Sequence, residues 1–372
     1  MTRTGTLGKT CLMASVCFTA ALALASCSGS SADQSSTPKY AGKGSYAVGI
    51  TTLGLGDREV EVWYPVDPDA TAGHDTTSYV SFEVLPQAIV DILPPELNIE
   101  ISVDAYRDLA ASADGPFPIL TFSHGAGGFR YAYSALLTEV ASHGIVVASI
   151  DHTEWGLLQQ VGLRGEVPDR TAEDVVLATI GALGDADADA GSPLFGGVDT
   201  TLVVTSGHSA GGRAAFALPE RPEVRAMIGF ATGSARGLIT DKPVLLLVGA
   251  EDRGAARLEE SYEELAGPKR FVSVDNAGHN SFTDQCDILW NGNNFLEDLV
   301  AAGFPIPENL LSLAIDGCLP ENLDPEEFWR ITGHFTVAHM RDAFGLDRQP
   351  VGLGPGIADA FPGASMIYEF ED

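Results

Sequence analysis

The chain has 372 residues, is 45% hydrophobic by composition and carries a formal net charge of −30 at pH 7. So large an excess of acid repels nucleic-acid phosphates and anionic lipid headgroups, so neither is expected as an electrostatic partner. The length is great for one domain, yet no second linker and no internal repeat interrupts it, which favours one α/β domain with insertions.

Residues 1–26 are organised as an export signal. Arg3 and Lys9 make a basic start, and Cys11 to Ala25 is an apolar stretch too short to span a membrane. Leu24-Ala25-Ser26-Cys27 resembles the bacterial lipobox, in which cleavage leaves Cys27 as a lipid-bearing first residue. Ordinary secretory cleavage would instead leave Cys27 as a stray thiol, a liability in an oxidising compartment. Loss of Arg3 and Lys9 takes the mature chain to near −32. A lipid, not surface charge, would then hold it at the extracytoplasmic face of a membrane. Residues 27–44, rich in Ser, Gly, Ala and Thr, are expected to form a flexible tether, with the folded domain over 45–372. Cys286 and Cys318 are the two cysteines of that domain. In an exported protein they are expected to form one disulfide, with two separate buried thiols as the alternative.

Strand and helix signals alternate along the domain, which implies an α/β fold with a largely parallel sheet. Tyr46 to Thr51 and Arg58 to Tyr64 form an opening pair around a Gly-Leu-Gly-Asp turn. Phe117 to Phe122, Ile145 to Ile150, Thr201 to Thr205, Ala226 to Ala231, Val244 to Val248 and Arg270 to Val274 are short apolar runs, as expected of strands buried on both faces. Helices are expected over Tyr131 to Ser142, Ala172 to Leu183, Ala210 to Leu218 and Ala255 to Ala266. A closing helix over Asp324 to Phe344 has a capped Asp-Pro-Glu-Glu start. Asp185, Asp187 and Asp189 match the spacing of three calcium-loop ligands. The following glycine falls one residue late and no terminal glutamate exists, so a solvated acidic loop is the expectation. Two insertions, about 81–113 and 286–318, are rich in large apolar residues. They suit either ordinary core cover or the walls of an acyl pocket.

Gly207-His-Ser-Ala-Gly-Gly212 follows an apolar run and has the G-x-S-x-G form of a nucleophile elbow, in which a strained strand-to-helix turn presents Ser209 Oγ. Side chains at positions 207 and 211 would collide with neighbouring backbone. A serine nucleophile requires an acid and then a histidine downstream. Asp252, just past the run Val244 to Val248, is the candidate acid. Glu251 is the alternative, since a shift of one residue redirects the side chain. Asp252 also suits the cap of the following helix. His279, in the polar turn Asn276-Ala-Gly-His-Asn280, is the candidate base. His152 precedes Ser209 and is out of order. His74 and His143 lie in a loop and at a helix end, and His334 and His339 suit packing or surface roles. His208 is expected to point away from Ser209. The glycine-rich turn Ser123-His-Gly-Ala-Gly-Gly128 supplies an oxyanion hole from the Ala126 N–H, with the Ala210 N–H as the second donor.

Phe122-Ser-His-Gly-Ala-Gly-Gly-Phe-Arg-Tyr-Ala-Tyr-Ser134, Ala141-Ser-His-Gly-Ile-Val-Val-Ala-Ser-Ile-Asp-His152 and the 207–212 elbow resemble the platelet-activating-factor acetylhydrolases and the related predicted dienelactone hydrolases. Arg58 to Pro65, ending Val-Trp-Tyr-Pro, resembles their opening strand. The resemblance implies an α/β-hydrolase fold and hydrolysis of carboxylic esters without a metal or other cofactor. Eukaryotic acetylhydrolases place the triad acid after the strand that follows the nucleophile, a stretch that reads Met227 to Ser234 here and holds no acid. Asp252 instead matches the placement in bacterial cutinases and polyester hydrolases. Dienelactone hydrolases proper use cysteine where this chain has Ser209. A surface-anchored esterase for short-acyl or lipid-like esters is therefore expected. A serine peptidase on the same fold and a silent envelope-binding lipoprotein are the alternatives.

Overall fold

The structure is a computed structural model and describes residues 36–371 apart from Ser234. The export signal and Cys27 lie outside the described residues. Two long strands open the fold, β1 (Ala47–Gly54) and β2 (Glu59–Val66), paired antiparallel around the expected turn. The first insertion follows as β3 (Thr77–Val80), a short helix α1 (Gln87–Val90), β4 (Glu100–Val103) and β5 (Tyr106–Arg107). Within it, β3 and β4 make a separate two-stranded sheet.

The parallel core is then built by β6 (Phe117–Ser123), α2 (Ser134–Ala141), β7 (Val146–Ile150), α3 (Leu157–Gln160), α4 (Ala172–Ala188), β8 (Val198–His208), α5 (Gly212–Ala215), β9 (Val224–Phe230), β10 (Val244–Gly249), α6 (Ala255–Glu264) and β11 (Lys269–Val274). Every residue of β6, β7, β10 and β11 is buried. The continuous apolar runs follow from this, because helices cover both faces of the sheet. The second insertion is helical: α7 (Asp284–Trp290), α8 (Phe295–Ala301) and α9 (Glu308–Ala314). A long helix, α10 (Pro325–Ala343), and a final strand, β12 (Met366–Glu371), complete the chain. The main sheet has ten strands in the order β12-β11-β10-β9-β8-β6-β7-β2-β1-β5, with β2 antiparallel to β7 and β12 antiparallel to β11.

Three expectations are corrected. The acidic stretch 184–191 is largely helix, not loop. Asp185 and Asp187 lie in the last turn of α4, where Asp187 Oδ1 accepts the Val198 N–H at 2.9 Å. The helix after Ser209 is short. A single 3-10 turn, Ser209–Gly211, leads into α5, and Pro219 bars helical geometry at Leu218. The tether expected over 27–44 is not free throughout. Tyr40 is buried in the main core, and its ring stacks on His334 with centroids 6.0 Å apart. Glu139 accepts the Gly42 N–H at 2.8 Å, and Ser142 Oγ accepts the Gly44 N–H at 2.7 Å. Residues 40–44 are thus bound at the C-terminal end of α2.

Candidate active site

The elbow forms as the glycines require. Ser209 follows β8 directly and has φ +52°, a left-handed conformation that costs an L-residue energy and that the surrounding packing must hold. A Cβ at Gly207 would overlap the Gly211 backbone, and a Cβ at Gly211 would overlap the Ser123 carbonyl. Only glycine lets the turn close against its own strand and against β6.

His279 follows β11 in a turn tied to the end of the second insertion. Ser281 Oγ accepts the Gly278 N–H at 2.9 Å and donates to the Gly317 carbonyl at 3.1 Å, while the Asn280 N–H donates to the Asp316 carbonyl at 2.9 Å. Cys286 and Cys318 form a disulfide with Cα atoms 4.7 Å apart, so the bridge closes the insertion whose last residues brace this turn. The His279 ring meets Asp252: Nδ1 lies 2.8 Å from Oδ2. Burial pushes the Asp252 carboxyl up, but the hydrogen bond and charge of His279 and the Gly254 N–H outweigh it, and the group is held below the usual carboxylate range. Glu251 is exposed and contacts Asn322 Nδ2 at 3.3 Å, so of the two candidate acids Asp252 is the one on His279. The other ring nitrogen, Nε2, is buried and meets no hydrogen-bond partner among the described residues. Such an orphan is costly unless a substrate or a reacting hydroxyl completes it.

The turn after β6 lies against the elbow. A Cβ on Gly125 would come within 3.1 Å of Ser209 Cβ. The N–H groups around Ala126 are committed: Gly125 to Tyr133 Oη at 3.2 Å, Gly127 to the Trp155 carbonyl at 2.9 Å and Gly128 to the Gly125 carbonyl at 3.0 Å. Among the described residues the Ala126 N–H has no acceptor of its own. Arg130 fixes the far end of this segment by ion pairs to Asp151 and Glu59, each at 2.9 Å, and to Glu61 at 3.3 Å.

Ser209, His279, Ala126 and Gly127 line one pocket, with a cavity volume of about 160 Å³. Its walls come from both insertions. Phe82, Leu85, Ile99 and Ile101 stand on the first, and Ile288, Phe295, Leu299, Phe304 and Leu310 on the second. The insertions also pack on each other in a small core of Phe82, Leu93, Leu97, Val161 and Phe304. Of the two roles open to them, the walls of a pocket are realised.

Two residues at this site escape a reading of the sequence. Asp284 opens α7 and is buried. Its carboxylate accepts from the Ser134 N–H at 2.7 Å, the Ser134 hydroxyl at 2.5 Å and the Ala135 N–H at 3.0 Å, capping α2 from 150 residues away. Burial still pushes it up to about 6. Tyr133 is buried beside His208. His208 was expected to point away from Ser209, yet its ring packs 4.8 Å from that of His279 and lines the same pocket.

Residues 29–157 match the model of the family described as platelet-activating factor acetylhydrolase, isoform II. A platelet-activating factor acetylhydrolase of Gallus gallus is 30% identical over 128 residues, 31% of this chain and 30% of that protein. One of Cavia porcellus is 50% identical over 38 residues, 10% of this chain and 9% of that protein. These matches span less than a third of the relatives' own length. A ferulic acid esterase from Streptomyces cinnamoneus superimposes with a TM-score of 0.55 at 23% identity, over 88% of this chain and 96% of that one. This chain has an α/β-hydrolase fold. Its N-terminal third is similar in sequence to the acetylhydrolases, and 88% of its length shares the fold of the esterase.

Proposed function

We propose that this α/β hydrolase is a serine carboxylic-ester hydrolase for esters with an apolar acyl part. Ser209 Oγ attacks the ester carbonyl while His279 Nε2 takes its proton, and Asp252 holds the Nδ1–H and stabilises the imidazolium. The Ala126 and Ala210 N–H groups bind the oxyanion. His279 then protonates the leaving alcohol, and water, activated by the same nitrogen, releases the acid. One observation carries the reading: a left-handed Ser209 and a His279 with Nδ1 on Asp252 and Nε2 unpartnered line one apolar pocket. The acetylhydrolase and esterase likenesses agree with this chemistry. No step calls for a metal or an organic cofactor. Short-acyl and lipid-like esters are the substrate classes that the apolar walls favour.

The protein is proposed to be exported and held by a lipid on Cys27. Arg3, Lys9, the apolar stretch from Cys11 to Ala25 and Leu24-Ala25-Ser26-Cys27 support this. The test is hydrolysis of p-nitrophenyl acetate and longer esters by the domain, together with labelling by a fluorophosphonate. Activity that survives Ser209→Ala overturns the mechanism. Loss of glycerol labelling together with release of the protein from membranes on a Cys27→Ser change tests the anchor separately.

A further inference from the structure

We infer that Tyr133 and His208 are positioning residues that lock the oxyanion turn and the His279 turn into one register beneath Ser209. The inference rests on the triad reading above. Gly125 N–H lies 3.2 Å from Tyr133 Oη, Tyr133 Oη lies 2.8 Å from His208 Nδ1, and His208 Nε2 lies 2.8 Å from the His279 carbonyl oxygen.

The direction of every bond in this chain is forced by its two ends. A backbone N–H can only donate, so Tyr133 Oη accepts from Gly125. The single phenolic hydrogen is then free for His208 Nδ1. A backbone carbonyl can only accept, so His208 Nε2 must carry the ring hydrogen. The opposite tautomer would set the bare Nε2 against the His279 oxygen, lone pair to lone pair. A doubly protonated ring would take away the acceptor that Tyr133 needs. The structure therefore requires a neutral His208 with its hydrogen on Nε2. Its surroundings favour the neutral form, since burial and the neighbouring His279 push it down to about 3. A neutral ring 4.8 Å from His279 also adds no repulsion when His279 becomes an imidazolium.

The three segments joined in this way are far apart in sequence. Gly125 precedes the oxyanion donor Ala126, His208 precedes the nucleophile Ser209, and the His279 carbonyl belongs to the base itself. Tyr133 and His208 together join all three. Each link is buried, so water cannot stand in for a missing group at no cost. A displacement of the order of 1 Å at a reacting group costs on the order of 100-fold in rate, and this chain is what prevents one.

The experiment compares Tyr133→Phe, His208→Asn and the double variant with the wild type on p-nitrophenyl acetate and butyrate. The expected result is a fall in kcat on the order of 10- to 100-fold for each single variant with KM little changed, because the apolar walls that would hold the acyl part stand on the two insertions and stay in place. The double variant should lose about as much as the worse single one, since either change breaks the same chain. Tyr64→Phe is the control: it removes another buried hydroxyl, which donates to the Leu109 carbonyl at 2.7 Å, remote from the site. It should lower Tm and leave kcat alone. Losses that multiply in the double variant, a rise in KM in place of a fall in kcat, or a fall matched by Tyr64→Phe would each overturn the positioning role. Failure of the triad reading is distinguished by Ser209→Ala: if that variant stays active the base assignment falls, whatever the relay variants do.

Discussion

The two halves of the candidate site are held by different physics. Ser209, Asp252, His279 and the turn at Ala126 stand at the ends of β8, β10, β11 and β6, and they are located by backbone sterics and by hydrogen bonds of fixed direction. The pocket walls stand on two insertions with a small core of their own, separate from the main one, and a disulfide. Apolar contact is tolerant of shape and directed hydrogen bonding is not. On the proposed reading the chemistry is set mainly by the frame of the sheet and selectivity by the insertions, joined where Asp316 and Gly317 brace the His279 turn.

The sharpest way to break this division is at Ser209. Ser209→Ala should lower kcat on the order of 10⁶-fold and abolish fluorophosphonate labelling, with the walls and Tm intact. Next comes Asp252→Asn, expected to cost about 10⁴-fold in kcat by disturbing the imidazole tautomer. Glu251→Gln should leave kcat near wild type, and a larger loss from it would move the acid by one residue. On the other half, the Cys286→Ser/Cys318→Ser variant should lose about 2–4 kcal/mol in urea unfolding. Its KM should rise more for butyrate than for acetate. A loss of kcat equal for both esters would show instead that the bridge serves the His279 turn before the walls.

The smallest effect lies outside both halves, at Glu139, which burial pushes up to about 7 while it accepts the Gly42 N–H. A carboxyl raised in the folded state adds most to stability below its ordinary range, and that contribution is lost as pH rises through 7. Glu139→Gln keeps an acceptor without the charge. It should gain about 1–3 °C in Tm on the wild type between pH 5 and pH 8, with kcat unchanged. A gap that does not widen with pH would remove the ionisation argument.

The strands of the parallel core were legible to within a few residues, because a strand covered on both faces must be apolar throughout. β12 was not. It is an edge strand whose exposed positions include Ile367, Glu369 and Glu371, and its alternation is short and charged. The elbow, the histidine and the acid were legible because each is a local pattern beside a strand. Tyr133, the inward role of His208 and the α2 cap from Asp284 were not, since each depends on a partner at least 71 residues away. Tyr40 was hidden for the same reason. It sits among Ser, Gly and Lys in sequence, and its partners are His143, His334, Arg341 and Asp347. The run at 185–189 misled because its charge suggested a loop, while Val175, Val176, Ile180 and Leu183 on the buried side had already committed the segment to helix.

The binding of residues 40–44 at the C-terminal end of α2 fixes where the chain enters the fold. α2 runs from the end of β6 that carries the turn at Ala126 back toward the start of β7, and the Tyr46 N–H reaches the Ser142 carbonyl at 3.1 Å beside that start. The entering chain therefore meets the sheet at the end opposite Ser209. Were the chain held by its N-terminus as proposed, residues 40–44 and the pocket would lie at opposite ends of the parallel strands.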